Sequence, residues 1–112
     1  MVSGLLLVFV AAVLQLALVL HVRNTLIDSA SEGARHGALL GSSPERGAAR
    51  TEELIRAGLA DSFAEDVSAR IVTSGGVPLV EVSVTAPFPV IGLLGLGGDI
   101  EVEGHAALEV EP

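Results

Sequence analysis

The chain begins with a long run of hydrophobic positions. Residues 1–22 contain no charged side chain, and the first charge is Arg23. As a helix, residues 2–22 would be about 32 Å long, enough to cross a hydrocarbon core of about 30 Å. A soluble core helix shows polar residues in every turn, and a signal peptide carries basic residues before a shorter apolar run. This segment has neither feature, so we predict a retained transmembrane helix over residues 2–22.

The pattern that follows has a helical period. Small and apolar residues recur at steps of three and four, which predicts that the helix continues over residues 24–40. Gly33 and Gly37 lie on its small face, and each disfavours an isolated helix by about 1 kcal/mol. We therefore expect this face to pack closely against another helix or a sheet. Pro44, after a Gly-Ser-Ser break, predicts the first turn of a second helix over residues 44–60.

The period then changes from helical to alternating. Alternation of apolar and polar residues predicts strands at about 68–73, 79–85 and 100–110. Gly75 and Gly76 stand between the first two strands and predict a hairpin turn. Three strands give one buried face, and the two helices are its natural cover.

The predicted fold class is therefore α+β. An N-terminal transmembrane helix continues into a domain over residues 23–112, which holds a second helix and a three-stranded antiparallel sheet. Residues 87–98 are apolar but interrupted by proline and glycine, which predicts a loop rather than a second span. This loop is either packed into the core or exposed to a membrane surface or a partner.

Composition excludes several functions. The net charge is −8, which argues against nucleic acid, and the absence of cysteine and lysine excludes thiolate, P-loop and Schiff-base chemistry. His21, His36 and His105 stand isolated in the sequence, which predicts surface or interface histidines rather than metal ligands. The adjacent carboxylates Glu65 and Asp66 favour a capping or turn role. We predict no catalytic, cofactor-binding or metal-binding residue, no cofactor and no enzymatic activity.

One stretch has a specific resemblance. LQLALVLHVRNTLIDSASEGARHGAL, residues 14–39, resembles the TadE-like family of bacterial tight-adherence pilus systems, especially the actinobacterial kind. The later pieces AEDVSARIVTSGGVPLVEVSVTAPFP and GHAALE are similar to that family too. The resemblance implies a minor pilin-like or pseudopilin-like protein that takes part in assembling a thin Flp-type pilus.

The resemblance also implies a location and partners. A single helix would anchor the domain on the extracytoplasmic side of the cytoplasmic membrane, although Arg23 after the span would by itself predict the cytoplasmic side. The implied partners are the lipid bilayer, other pilin-like subunits and tight-adherence membrane assembly proteins.

The start of the chain departs from the family pattern. The family's basic leader and Glu-Phe pair are missing, because no acidic residue precedes Asp28, and Phe9 stands where the glutamate would follow Gly4. We expect the natural chain to begin upstream of Met1. Peptidase cleavage and glutamate-mediated docking are therefore assigned to no residue.

Assembly through such a helix would depend on contacts with neighbouring helices. Small residues in the span allow close approach, and Gln15 can form a hydrogen bond across the interface. The junction helix from Leu26 to Ala38 adds a second small face. The candidate interaction residues are Ala11, Ala12, Gln15, Ala17, Leu26, Ala30, Gly33, Ala34, Gly37 and Ala38.

The alternative is a single-pass, membrane-anchored extracytoplasmic binding module for calcium or polysaccharide, unrelated to pili. Sugar sites usually contain aromatic residues, and the chain has three phenylalanines and no tryptophan or tyrosine. A calcium module would contain Asp-rich loops, for which Asp99 alone is weak support.

Overall fold

A computed structural model describes residues 1–87 and 99–109. A single helix, α1 (Val2–Ala38), joins the apolar N-terminal segment to the domain without a break. It is followed by α2 (Pro44–Gly58), a short 3₁₀ helix (Asp61–Ala64) and three strands, β1 (Val67–Ser74), β2 (Val77–Pro87) and β3 (Asp99–Ala107). The predicted α+β fold class, with a long apolar N-terminal helix, a second helix and a three-stranded antiparallel sheet, is confirmed.

The connection between the two helices is short, and specific residues mark the end of α1 and the start of α2. α1 ends at Ala38, and Gly41 turns the chain with a positive φ of 80°. Ser43 caps α2, since its Oγ accepts a hydrogen bond from the Arg46 backbone N–H at 3.2 Å. Pro44 occupies the first turn, where no intrahelical N–H is needed. α2 therefore lies back against α1 as an antiparallel neighbour.

The sheet has the order β1-β2-β3 and is antiparallel throughout. Gly75 and Gly76 have φ values of 58° and 82°, and Ser74 pairs with Val77 around them. Positive φ at both central residues is the geometry of a two-residue type I′ turn, which matches the twist of the strands. Residues 88–98, which include most of the predicted apolar loop, lie outside the described residues.

The core lies between one face of the sheet and the two helices. Alternate residues of β2 point inward, and β3 follows the same alternation, while Glu101 and Glu103 point outward. Buried apolar residues of this core are Val22, Leu26, Ala30, Ala34, Ala38, Ile55, Ala64, Val80, Val82, Val84, Ala86, Ile100 and Val102.

β3 lies unusually close to α1. A Cβ atom at Gly104 would come within 2.6 Å of the Ala30 carbonyl oxygen and would also overlap the backbone of Ser31. Beyond the end of β3, the Glu109 N–H donates to the Ala38 carbonyl at 2.9 Å. Only glycine permits this backbone approach, and the contact fixes the long helix on the sheet.

Candidate assembly surface on the N-terminal helix

The N-terminal half of α1 projects from the domain with its apolar side chains exposed. All side chains of residues 2–14 are exposed, including Leu5, Leu6 and Phe9. Within the described part of the chain, α1 is the one helix long and apolar enough to cross a membrane. So large a contiguous apolar surface is unfavourable in water. α1 is therefore consistent with a single-pass membrane anchor.

The interaction candidates predicted in the span lie on different sides of the helix. Ala11, Ala12 and Ala17 are exposed, whereas Gln15 is half-buried. At 100° per residue, Ala17 lies on the opposite side of α1 from Gln15. The exposed alanines leave room for another helix, and their contact with a second molecule stays a prediction.

The candidates in the junction helix lie inside the domain. Leu26, Ala30, Ala34 and Ala38 are at most 3% exposed and belong to the core beneath the sheet. Their small side chains allow α1 to approach the sheet closely. The contacts that the structure shows for them are made within the chain, and any contact with another subunit stays a prediction.

Gly33 and Gly37 lie where α1 meets α2. A Cβ atom at Gly33 would overlap the Thr51 Oγ1 and come within 2.6 Å of the Gly47 carbonyl oxygen. A Cβ atom at Gly37 would lie 3.1 Å from the Gly47 Cα. Thr51 Oγ1 donates to the Gly47 carbonyl at 2.9 Å, so its polar atom is satisfied in this buried contact. The predicted small face therefore packs against a glycine on the second helix.

A charged ladder crosses the opposite face of the sheet. Arg70, Glu81 and His105 stand side by side on β1, β2 and β3. Arg70 Nε donates to Glu81 Oε1 at 2.9 Å, and His105 Nε2 lies 2.9 Å from Glu81 Oε2. Glu103 Oε2 lies 3.8 Å from the same histidine nitrogen. Both oxygens of the central carboxylate are thus satisfied across three strands.

This environment favours the ionised form of Glu81. The hydrogen bond from His105 and then that from Arg70 lower the pKa of Glu81, and these effects outweigh burial, which would raise it. Glu81 is only 7% exposed because its two neighbours cover it. The ladder therefore stabilises a charged side chain on a face that no described helix covers.

The ladder also brings metal-ligand types together. Ligand atoms of Glu81, Glu103 and His105 lie within 4.8 Å of one another. Arg70 and His105 already occupy both carboxylate oxygens of Glu81, so hydrogen bonding accounts for the cluster without a cation. His105 lies on the exposed face of the sheet, and the register of β3 places it opposite Glu81, a contact that its isolation in the sequence did not indicate.

Part of this cluster could have been found from the sequence. A two-residue turn at Gly75 and Gly76 places Arg70 directly opposite Glu81, since each is five residues from the turn. The position of His105 depends on the register of β3, and the 11 residues between β2 and β3 are too many for a two-residue turn to set that register. His21 and His36 remain exposed on α1.

An open groove separates the exposed sides of α1 and α2. Its volume is about 460 Å³. Ion pairs join Glu32 to Arg35 and Arg50 to Glu53 along its walls, so charges of both signs are largely matched locally. The lining residues are Glu32, His36, Arg46, Ala49, Arg50 and Glu53.

The sequence of the exposed helix is similar to that of a known protein family. Residues 1–35 match the model of the TadE-like protein family. This is a pilin-like family with a role in tight-adherence pilus assembly, and it is not enzymatic. No curated protein and no solved structure gives a significant match to the chain.

The TadE-like segment, residues 1–35, covers the whole exposed part of α1 and its entry into the domain. It includes the four candidates in the span and four of the six in the junction, and it ends before Gly37. α2 and the sheet lie outside the match. The likeness therefore rests on the anchor and the junction, and the architecture of the remaining chain is known from the structure.

Proposed function

We propose that this protein is a membrane-anchored minor pilin-like or pseudopilin-like component that takes part in assembling a tight-adherence, Flp-type pilus. The observation that carries the proposal is that the TadE-like match, residues 1–35, includes the whole exposed apolar length of α1. A helix that is apolar on all sides and exposed on most of them needs lipid or other helices around it. Its role is assembly rather than catalysis.

The proposed mode of assembly is lateral helix packing in the bilayer. Ala11 and Ala12 on one side of α1, and Ala17 on the other, are small enough to let a neighbouring backbone approach at each position and gain dispersion contacts. In this proposal the partners are other pilin-like subunits and the tight-adherence membrane proteins. The domain lies on the extracytoplasmic side, as the TadE-like resemblance implies.

The domain would present a polar and acidic surface to these partners. Asp99, Glu101 and Glu103 are exposed on one face of β3, which is an edge strand of the described sheet. Charged side chains on an edge strand oppose uncontrolled strand pairing. The proposal therefore assigns subunit contact mainly to the helix and solubility to the exposed sheet.

The test combines location with pilus assembly. The full chain is expressed in its own host, and the membrane fraction is washed with alkaline carbonate. The proposal expects the protein to stay in the pellet, and a single cysteine at exposed Ser68 to react with a membrane-impermeant maleimide in intact cells. The matched control is a single cysteine substituted for Gly4, an exposed residue in the anchor, and labelled in the same way as the cysteine at Ser68.

The assembly role is tested by deletion and complementation. Loss of the gene is expected to reduce surface pili at least tenfold by electron microscopy, with rescue by the wild-type chain. A variant with Ala17→Leu is expected to complement less well than one with Leu16→Ile, because only the first closes a small-residue site. A normal number of pili in the deletion strain would contradict the pilus role. If the protein of the wild-type strain is carbonate-resistant, the proposed anchor is unaffected by that result.

A further inference from the structure

Strand β1 forms one edge of the described sheet. Hydrogen-bonded and non-hydrogen-bonded pairs alternate along two antiparallel strands. The Thr85 N–H donates to the Asp66 carbonyl at 3.0 Å just before β1 begins, so every second residue from Val67 onward turns its backbone groups away from β2. These outward N–H and C=O groups belong to Val67, Ala69, Ile71 and Thr73. No other described residue forms a hydrogen bond with them.

The two edges of the sheet differ in how they are protected. Edge strands usually carry lysine, proline, inward-pointing charges or a bulge, which prevent pairing with another chain. β3 has exposed carboxylates along it, at Asp99, Glu101 and Glu103. β1 reads VSARIVTS, without lysine, proline or an acidic residue, and its register with β2 is continuous. β1 is therefore the edge that is open to strand addition.

Two neighbouring side chains of β1 indicate which kind of strand it would accept. Ile71 lies on the inward face of the sheet, opposite Val80, yet it is 53% exposed. Arg70 lies on the outward face with 73% of its side chain exposed, and its Nε donates to Glu81. The two terminal guanidinium nitrogens of Arg70 have no partner among the described residues and can pair with a carboxylate. The edge thus suits a strand that is apolar on one face and acidic on the other.

The proposed membrane placement excludes a two-fold pairing between the β1 strands of two copies. Gly104 lies against Ala30 and the Glu109 N–H bonds the Ala38 carbonyl, so β3 runs away from the apolar half of α1. β1 runs in the same direction, because both strands are antiparallel to β2. The β1 strands of two copies in one membrane would therefore be parallel. A two-fold axis along them would turn level side chains to opposite faces, which does not fit the pleat of a parallel sheet.

The helices also crowd any pairing of β1 with β3 of a second copy. α1 packs on β3 and α2 packs on β1, both on the inward face of the sheet. Three strands are about 14 Å wide, whereas two helices side by side need about 16–20 Å. A continuous sheet of copies would therefore push α2 of one copy into α1 of the next. An extended segment without a helix of its own avoids this overlap.

We propose that the free edge of β1 is a docking site for an extended segment of a different exported protein, which adds to the described sheet as a further strand. The segment would place apolar side chains beside Ile71 and a carboxylate beside Arg70. Main-chain hydrogen bonds to the outward residues of β1 supply affinity, and the two side-chain contacts supply specificity. The inference deepens the assembly role proposed above and rests on the membrane placement given there.

A peptide with the sequence LVEVSVTA, residues 79–86 of this chain, is the probe. This is the sequence of β2, which already pairs with β1 on its other side, and it has one glutamate among alternating valines. The fluorescein-labelled peptide is titrated into the full chain in detergent micelles and read by fluorescence anisotropy. Amide exchange of the complex is followed by NMR. The control peptides are one of the same composition without the alternation and one with lysine in place of the glutamate.

We expect saturable binding of the probe and at least fivefold weaker binding of both control peptides. Amide exchange should slow at the outward residues of β1 and stay unchanged at Glu101 and Glu103 on the other edge. No saturable binding, or protection of β3 in place of β1, would overturn the proposal. Protection of the β1 amides that rises with the concentration of the chain and needs no peptide would assign the edge to a second copy, which also overturns it.

A pair of proline variants locates the binding edge. Ile71→Pro removes an outward N–H and leaves the hydrogen bonds to β2 in place. Ala107→Pro is the matched control, because the Leu108 N–H bonds the Pro78 carbonyl and the N–H of Ala107 therefore faces outward from β3. We expect at least a fivefold loss of probe affinity for Ile71→Pro alone, and an equal effect in both variants would contradict the docking. Ile71→Glu with Ala107→Glu repeats the comparison if the proline variant does not accumulate.

Pilus counts separate this inference from the proposed function. In the deletion strain, Ile71→Pro is expected to remain carbonate-resistant and to restore at least fivefold fewer pili than Ala107→Pro. Full restoration by Ile71→Pro means that only the docking is wrong. A deletion strain with a normal number of pili means that the assembly role is wrong, and the peptide measurement then decides the docking independently.

Discussion

Arg70 and Glu81 face each other across β1 and β2, and the guanidinium Nε donates to the carboxylate at 2.9 Å. His105 bonds the other oxygen from β3. One carboxylate on the central strand is therefore linked to both edge strands of the described sheet. These hydrogen bonds to a charged side chain stabilise the face of the sheet that no helix among the described residues covers.

Replacing this carboxylate tests how much the ladder contributes. We expect Glu81→Gln to lower the free energy of unfolding by about 1–2 kcal/mol, because two charge-assisted hydrogen bonds become weaker and Arg70 and His105 are partly exposed. The measurement is chemical denaturation of the full chain in detergent micelles. Glu101→Gln is the matched control on the same outward face, and an equal loss in both variants would contradict the role of the ladder.

The ladder also predicts a pH dependence. The pKa of Glu81 is lowered in the folded state below its ordinary value of 4.5, first by His105 and then by Arg70. The folded state therefore binds fewer protons, and the resulting stability is present above about pH 4.5 and is lost as the pH falls through the folded-state pKa. We expect wild type and Glu81→Gln to converge in stability below pH 4.5. A stability gap that stays constant down to pH 3 would contradict this assignment.

The helix crossing predicts a strong steric effect at Gly33. We expect Gly33→Ala to destabilise the domain by about 2–3 kcal/mol, because the added methyl group overlaps Thr51 and the Gly47 carbonyl. Gly4→Ala is the control, since nothing lies within 4 Å of a Cβ at Gly4, and alanine favours a helix. Thermal unfolding in micelles should show a lower Tm for the first variant alone.

Gly104 predicts a similar effect at the contact between α1 and the sheet. Gly104→Ala is expected to cost about 3 kcal/mol, because the methyl group meets the backbone of Ala30 and Ser31, which cannot rotate away. Ala107→Gly on the exposed side of β3 is the control for strand propensity. Hydrogen exchange should show faster exchange along residues 26–34 in the Gly104 variant. Unchanged protection there would mean that α1 can shift at little cost.

Calcium distinguishes the proposed function from a calcium-binding module. We expect 5 mM Ca²⁺ to leave the Tm of the full chain unchanged within 1 °C, since Arg70 and His105 satisfy the oxygens of Glu81. A ligand that binds the folded state raises Tm by mass action. A calcium-dependent rise that magnesium does not reproduce would favour the binding module.

Local patterns predicted much of the fold. The uninterrupted helical period predicted that the helix leaves the apolar segment without a break, and α1 is one helix. Alternation predicted the inward valines of β2, and the two glycines predicted the hairpin. These features depend on residues near one another in the sequence.

Long-range placement could not be predicted in the same way. The small face with Gly33 suited either a helix or a sheet, and the choice of α2 depends on Gly47, 14 residues later. The pairing of Glu81 with His105 depends on the length and path of the connection between β2 and β3. Neither of these two contacts produces a periodic pattern of residues from which it could be predicted.

The continuity of α1 has a mechanical consequence. Its first half stands clear of the domain, its second half is buried in it, and the helix has no break between Val2 and Ala38. Rotation of the anchor about its axis must therefore turn the sheet through the same angle. A neighbour that binds one side of the helix inside the bilayer therefore also sets the orientation of the acidic strand β3 about the helix axis, outside the bilayer.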